Sequence, residues 1–185
     1  NFENNFSELF LSLTSSISNS GFSLNNSPNN LSFIFLILVI IGGSFFSTSS
    51  GIRFLKIYSL FKYSINEILS YSRPKNIYIN KHLFSKDSFK LDEIYKYFLS
   101  VIVFIISLLI LTFLLTLSGI DFESSFKLSI LTIMNTVNSS MFGLADFSFY
   151  DLHFITKYYL IFFMIIGRLE LLTLLIICKK FLFKN

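Results

Sequence analysis

An arginine and a glutamate stand in the middle of an otherwise apolar run near the C-terminus. Tyr158 to Cys178 reads YYLIFFMIIGRLELLTLLIIC, 21 residues with Gly167-Arg168-Leu169-Glu170 at the centre. That length fits the roughly 20 residues needed to cross about 30 Å of hydrocarbon. A charge at that depth costs roughly 3 kcal/mol on insertion scales. It therefore faces a water-filled pathway, or it pairs with groups elsewhere in the bundle and fixes helix packing. The chemistry Arg168 offers is electrostatic, a fixed cation beside a polar route. Glu170 lies about 200° around the helix from it, so the two share no face and Glu170 needs a partner on another helix. Gly167 leaves room for close helix packing.

Two further groups have residue types suited to chemistry. Ser18-Asn19-Ser20-Gly21-Phe22 is a polar turn after a short apolar stretch. Gly42-Gly43-Ser44-Phe45-Phe46-Ser47-Thr48-Ser49-Ser50-Gly51 interrupts a longer one. The second lacks the Gly-Lys-Ser/Thr ending of a phosphate-binding loop. Cys178 stands alone, and His82 and His153 have no metal-ligand companion at helical spacing, so no disulfide framework or protein-built metal site is expected. His82 is expected on the cytoplasmic side and His153 outside, so neither joins Glu170 in a catalytic group. No enzyme and no cofactor are expected.

The elements that must position these residues are membrane elements. The chain is 53% hydrophobic with 14% charged residues, and its mean hydropathy of +0.67 is too high for an ordinary soluble domain. One alanine and no tryptophan beside 25 phenylalanines reflect a compositional bias, not an aromatic binding surface. Leu31 to Ile41 spans only about 16 Å as helix, and the apolar pattern resumes from Ile52 to about Leu69. This is a helix broken within the bilayer, tolerated only where the irregular backbone lines a cavity or is covered by protein. Tyr97 to Leu117 carries no charge and reads as a plain membrane helix.

Charge sets the orientation. Gly51 to Lys96 holds nine basic residues against four acidic ones, and the tail adds Lys179, Lys180 and Lys184. Both flanks are expected to be cytoplasmic, which makes Ser118 to Thr156 external. The basic stretch between membrane runs reads as orientation and a cytosolic partner, with no nucleic acid. Asn1 is not a methionine, so the chain reads as the C-terminal part of a longer protein.

A repeat is hidden in the chain. A shift of 120 residues lays Phe6 on Phe126, Ile17 on Val137, Ser20 on Ser140 and Phe22 on Phe142. A shift of 125 lays Val39-Ile40-Ile41-Gly42 on Met164-Ile165-Ile166-Gly167. The repeated unit is helix, re-entrant pore loop, helix. A short helix that stops inside the membrane points its carbonyl end, about half a negative charge, into the cavity. Successive carbonyls of the following turn can replace the water shell of a potassium ion. Gly21 reaches the backbone angles such a turn requires.

These motifs resemble the Trk/Ktr/HKT superfamily of potassium transport proteins, most closely its bacterial Trk-type membrane subunit. Ser18 to Phe22 is similar to the family's third filter and Gly42 to Arg53 to its intramembrane loop. Arg73-Pro74 resembles its Arg/His-Pro element, and Gly167-Arg168-Leu169-Glu170 the motif of its last helix. The resemblance implies an all-α membrane protein of the bacterial inner membrane, crossed several times, with its C-terminus in the cytoplasm. Four helix–pore-loop–helix units surround one potassium-channel-like pore, and this chain is a C-terminal fragment of them. Residues 1–70 would be the third unit without its first helix: pore helix 6–17, filter 18–23 and broken helix 31–69. Residues 71–96 would be a basic cytoplasmic linker. Residues 97–182 would be the fourth unit: helix 97–117, pore helix 124–137, filter 138–143 and helix 155–182.

The resemblance further implies a filter of Ser18, Asn19, Ser20 and Gly21 with Asn138, Ser139, Ser140 and Met141. It implies a gating loop with Gly42, Gly43, Ser47, Thr48 and Gly51, and Arg168 as the pore's electrostatic element. Potassium would be substrate, the only metal bound. Partners would be membrane lipid, a second copy in a homodimer and a cytosolic nucleotide-binding regulatory subunit of the Trk system. Met141 stands where the fourth filter has glycine, and Phe45, Phe46, Ser49 and Ser50 replace smaller loop residues. These departures leave two alternatives beside strict potassium conduction: a sodium- and potassium-passing relative, or a non-conducting structural one.

Overall fold

The computed structural model describes residues 2–22, 31–41, 52, 54–71, 91–136, 140–144, 148–150, 152–168 and 180. Six α-helices make up the described chain: α1 Phe2–Ile17, α2 Ser32–Ile41, α3 Phe54–Ser70, α4 Leu91–Leu117, α5 Phe122–Met134 and α6 Phe154–Arg168. A 3-10 turn at Ser140–Phe142 lies between α5 and α6.

α5 sits at the centre. It packs against α4, α6 and α2, while α1 packs on α2 and α3 on α4. Every residue of α5 from Leu128 to Met134 is buried, so this 13-residue helix is enclosed by its neighbours. Its polar side chains are satisfied locally. The hydroxyls of Ser129 and Thr132 donate to the carbonyls of Ser125 (2.6 Å) and Leu128 (2.7 Å). α1 uses the same device, with Ser12 donating to Glu8 O (2.9 Å) and Ser16 to Ser12 O (2.7 Å). Back-bonding of this kind lets a hydroxyl-rich helix sit in apolar surroundings without orphaned groups.

α4 is, among the described residues, the helix long and apolar enough to cross a membrane, from Asp92 to Leu117. It starts at Leu91, inside the stretch expected to be linker. Asp92 and Glu93 occupy its first turn, where carboxylates complement the positive end of the helix dipole. One face carries Phe104, Leu108, Leu111 and Leu115 into the core, and the other exposes Ile105, Leu109, Phe113 and Leu117. An exposed apolar face of that extent suits lipid or the further helices of a larger bundle.

α5 ends three residues before the expected limit of 137. Asn135 adopts left-handed backbone (φ +54) and terminates it. α1 likewise ends at Ile17, with Asn19 left-handed at φ +57. Asparagine is one of the few non-glycine residues that enter this region readily. Residues 72–90 of the expected linker and residues 169–179, expected to continue the last helix, lie outside the described residues, as does most of the stretch between α2 and α3.

Candidate functional site

The expected third filter follows directly from the end of α1. Asn19 N donates to Ser16 O (3.2 Å) and Ser20 N to Ser15 O (3.1 Å), a paired closure that satisfies two carbonyls of the last helical turn. The hydroxyls of Ser18 and Ser15 each lie against that of Ser20, at 3.1 and 3.0 Å. Serine side chains thus knit the turn together and tie it to α1. Two residues past Asn19, Gly21 is also left-handed, at φ +77, and buried. That angle is strained for any residue with a Cβ.

The end of α5 repeats this closure. Asn135 N donates to Thr132 O (3.1 Å) and Thr136 N to Leu131 O (2.9 Å). The two closures are 116 residues apart, against the 120 of the sequence shift. Phe6–Phe10 and Phe122–Phe126, related by 116, both stack at 6.4 Å and 19°. The difference of four residues is close to one helical turn of 3.6, so the shifted alignment still matched residues on the same helix face. A pair of side-chain bonds falls at the second spacing, of 125 residues. With its amide nitrogen turned toward the neighbouring carbonyls, Asn19 donates to Val39 O of α2 (3.2 Å) as well as to Ser16 O (3.1 Å). Asn135 Nδ2 donates to Met164 O of α6 (2.9 Å). Val39 and Met164 are the residues that the 125-residue shift superposes.

Of the expected fourth filter, Ser140 and Met141 lie in the 3-10 turn, and Asn138 and Ser139 are outside the described residues. The Met141 side chain is fully buried, in one core with Phe142, Phe35 and Val39. The turn packs on α2. α2 therefore supports both candidate filter segments, the first through Asn19 and the second through Met141 and Phe142. Gly143, left-handed at φ +72, closes the turn beside Lys127. Lys127 pairs with Glu123 in the first turn of α5, and its hydrogen bond and positive charge hold the Glu123 carboxyl below its ordinary range.

The proposed gating residues Gly42, Gly43, Ser47, Thr48 and Gly51, and Glu170, lie outside the described residues. Arg168 ends the described part of α6 with its side chain exposed, while the adjacent Gly167 is buried against α5. His153 immediately precedes α6 and caps it: its carbonyl accepts from Thr156 N (3.0 Å) and its Nδ1 from Ile155 N (3.4 Å). It is a helix-starting residue. Among the described residues no three of His, Cys, Asp and Glu converge.

A cavity of about 290 Å³ lies between α5 and α6, lined by Leu128, Leu131, Thr132, Asn135, Thr136, Phe149 and Met164. Thr136 Oγ1 is buried without a hydrogen-bond partner among the described residues. From sequence, Asn135 and Thr136 had no role beyond polar residues in a short apolar stretch, because both fell inside a helix expected to run to 137. The available signal was an asparagine at the end of an apolar stretch, a common helix terminator.

A family model described as TrkH, cation transport protein, matches residues 3–183. Among solved structures, the chain is similar to the crystal structure of the potassium transporter TrkH from Vibrio parahaemolyticus. The TM-score is 0.71 and the identity 24%, over 88% of this chain and 34% of that one. The chain thus spans about a third of the length of that transporter, and the likeness is one of fold. No curated protein sequence matches.

Proposed function

Because this chain belongs to the TrkH cation transport protein family, we propose that it forms part of a potassium path lined by backbone carbonyls. The supporting observation is the repeated end of α1 and α5. Each is a short, hydroxyl-rich helix closed by a left-handed asparagine and bonded to the next helix. Such an arrangement directs a helix carbonyl end and a turn of carbonyls toward one place, where they can substitute for ion hydration.

In this reading α1 and α5 are the pore helices of the third and fourth units, and the rest of the pore comes from outside this chain. Ser18, Asn19, Ser20 and Gly21 supply carbonyls from one side, and Asn138, Ser139, Ser140 and Met141 from the other. The buried Met141 side chain favours potassium conduction over an occluded filter, because it is packed against α2 and directed into the core. The segment 42–51 gates the path from the cytoplasmic side. Arg168 places a positive charge along the path and slows cations. The protein sits in a bacterial inner membrane with its C-terminus cytoplasmic. It acts as a homodimer under a cytosolic nucleotide-binding regulatory subunit.

An ion bound to the folded protein raises its thermal midpoint in a concentration-dependent way. Purified full-length protein titrated with potassium and separately with sodium tests the filter. A rising midpoint with potassium at concentrations where sodium has no effect is expected. Equal response to both ions supports the less selective alternative, and no response to either removes the filter reading.

A further inference from the structure

We infer that Asn19 and Asn135 are equivalent positioning residues, each clamping the end of a pore helix to the helix that follows and so fixing the filter's level. Asn19 is 8% exposed, and with its amide nitrogen turned toward the neighbouring carbonyls it donates across from α1 to Val39 O of α2 at 3.2 Å. Asn135 makes the matching bond across α5 and α6 to Met164 O at 2.9 Å. Both residues hold left-handed backbone.

Helix closure alone explains the backbone angles but not the side-chain bonds. Glycine is the commonest residue at such an end, and it would close both helices without an amide. Each asparagine adds a bond to a main-chain carbonyl on another helix, a group that no side-chain rearrangement can move. The recipient carbonyls occupy the same place in the two repeats. The Asn135 amide is also near Gly167, at 3.2 Å from where a Cβ would stand there. The clamp and the close contact of α5 with α6 therefore form one joint, and Arg168 follows it directly in sequence. A shift of α5 along its axis breaks this bond and displaces the carbonyls that follow.

The inference rests on the pore-helix reading above, so potassium uptake by the unaltered full-length protein is measured first. A chain that carries no potassium refutes that reading, whatever the asparagines do. In a conducting protein, Asn19→Gly and Asn135→Gly keep the left-handed closure and remove the clamp, together with the Asn19 amide's bond to Ser16 O within α1. The expected result is near-normal protein yield with a potassium-over-sodium uptake ratio reduced about fivefold or more, and a raised KM for potassium. A purely capping role predicts an unchanged ratio and KM, which would overturn the inference. Asn135→Asp keeps shape and left-handed tolerance but turns an acceptor toward Met164 O, and is expected to match the glycine variant. If none of the three variants accumulates in the membrane, the residues serve assembly of the fold and the inference is likewise overturned.

Discussion

Gly167 approaches the backbone of Ile133 so closely that a Cβ on it would stand 2.1 Å from the Ile133 carbonyl oxygen and 3.0 Å from its carbon. The contact joins the centre of the last apolar run to the end of α5. Because the opposing atoms are main chain, no rotamer change relieves a clash there.

Gly167→Ala is therefore expected to destabilise the protein by about 2 kcal/mol, in the range of overpacking in a tight core. Thermal unfolding in detergent measures it. Gly119→Ala is the control: nothing lies within 4 Å of a Cβ there, and only its φ of +88 is unfavourable. Its midpoint should fall less than that of the Gly167 variant.

Thr112 Oγ1 donates to Ser129 Oγ at 3.0 Å, a buried bond between α4 and α5. Removing either hydroxyl, as Thr112→Val or Ser129→Ala, should cost about 0.5–1 kcal/mol, as measured for hydrogen bonds between membrane helices. The double variant should cost less than the sum of the two, and a double-mutant cycle on thermal or denaturant unfolding reads the coupling. Strict additivity would show that the pair does not interact.

How much of this was legible in the sequence depended on which kind of signal carried it. Gly167 was readable as a close-packing residue because a glycine beside a charge in an apolar run has few other uses. The shortness of the apolar runs Phe6–Ile17 and Phe126–Val137 and the polar residues among them set both apart from the plain span of α4. The length of α5 was misjudged because hydrophobic pattern continues through Val137, whereas the backbone turns at Asn135. The two helix ends close 116 residues apart, not 120, and near-helical periodicity makes such a one-turn difference almost invisible in composition. The Asn135–Met164 bond was not legible at all, since it joins residues 29 apart through a main-chain acceptor whose identity the side chains do not encode.

Arg168 is exposed at the end of the described part of α6, and its long stem lets the guanidinium reach water. Arg168→Met, which keeps an unbranched stem without the charge, is expected to raise potassium flux severalfold at unchanged protein yield. Radiotracer flux into proteoliposomes holding the full-length protein checks this. An unchanged flux in a folded variant would assign the arginine to packing.

Gly21, at φ +77 and buried, has little tolerance for a side chain. Gly21→Ser should lower the preference for potassium over sodium while the protein still reaches the membrane. Competition uptake assays report the preference, and a wild-type ratio in that variant would remove Gly21 from the ion path.

In the reading proposed above, this chain contributes two carbonyl-lined turns to a potassium path. Potassium uptake by the full-length protein, in a bacterial strain lacking its own potassium uptake systems and with sodium as competitor, tests it most directly. Uptake is expected to restore growth at low potassium and to persist under a roughly tenfold or greater excess of sodium. Correctly inserted protein that supports no potassium uptake, or uptake abolished by sodium at equal concentration, would contradict it.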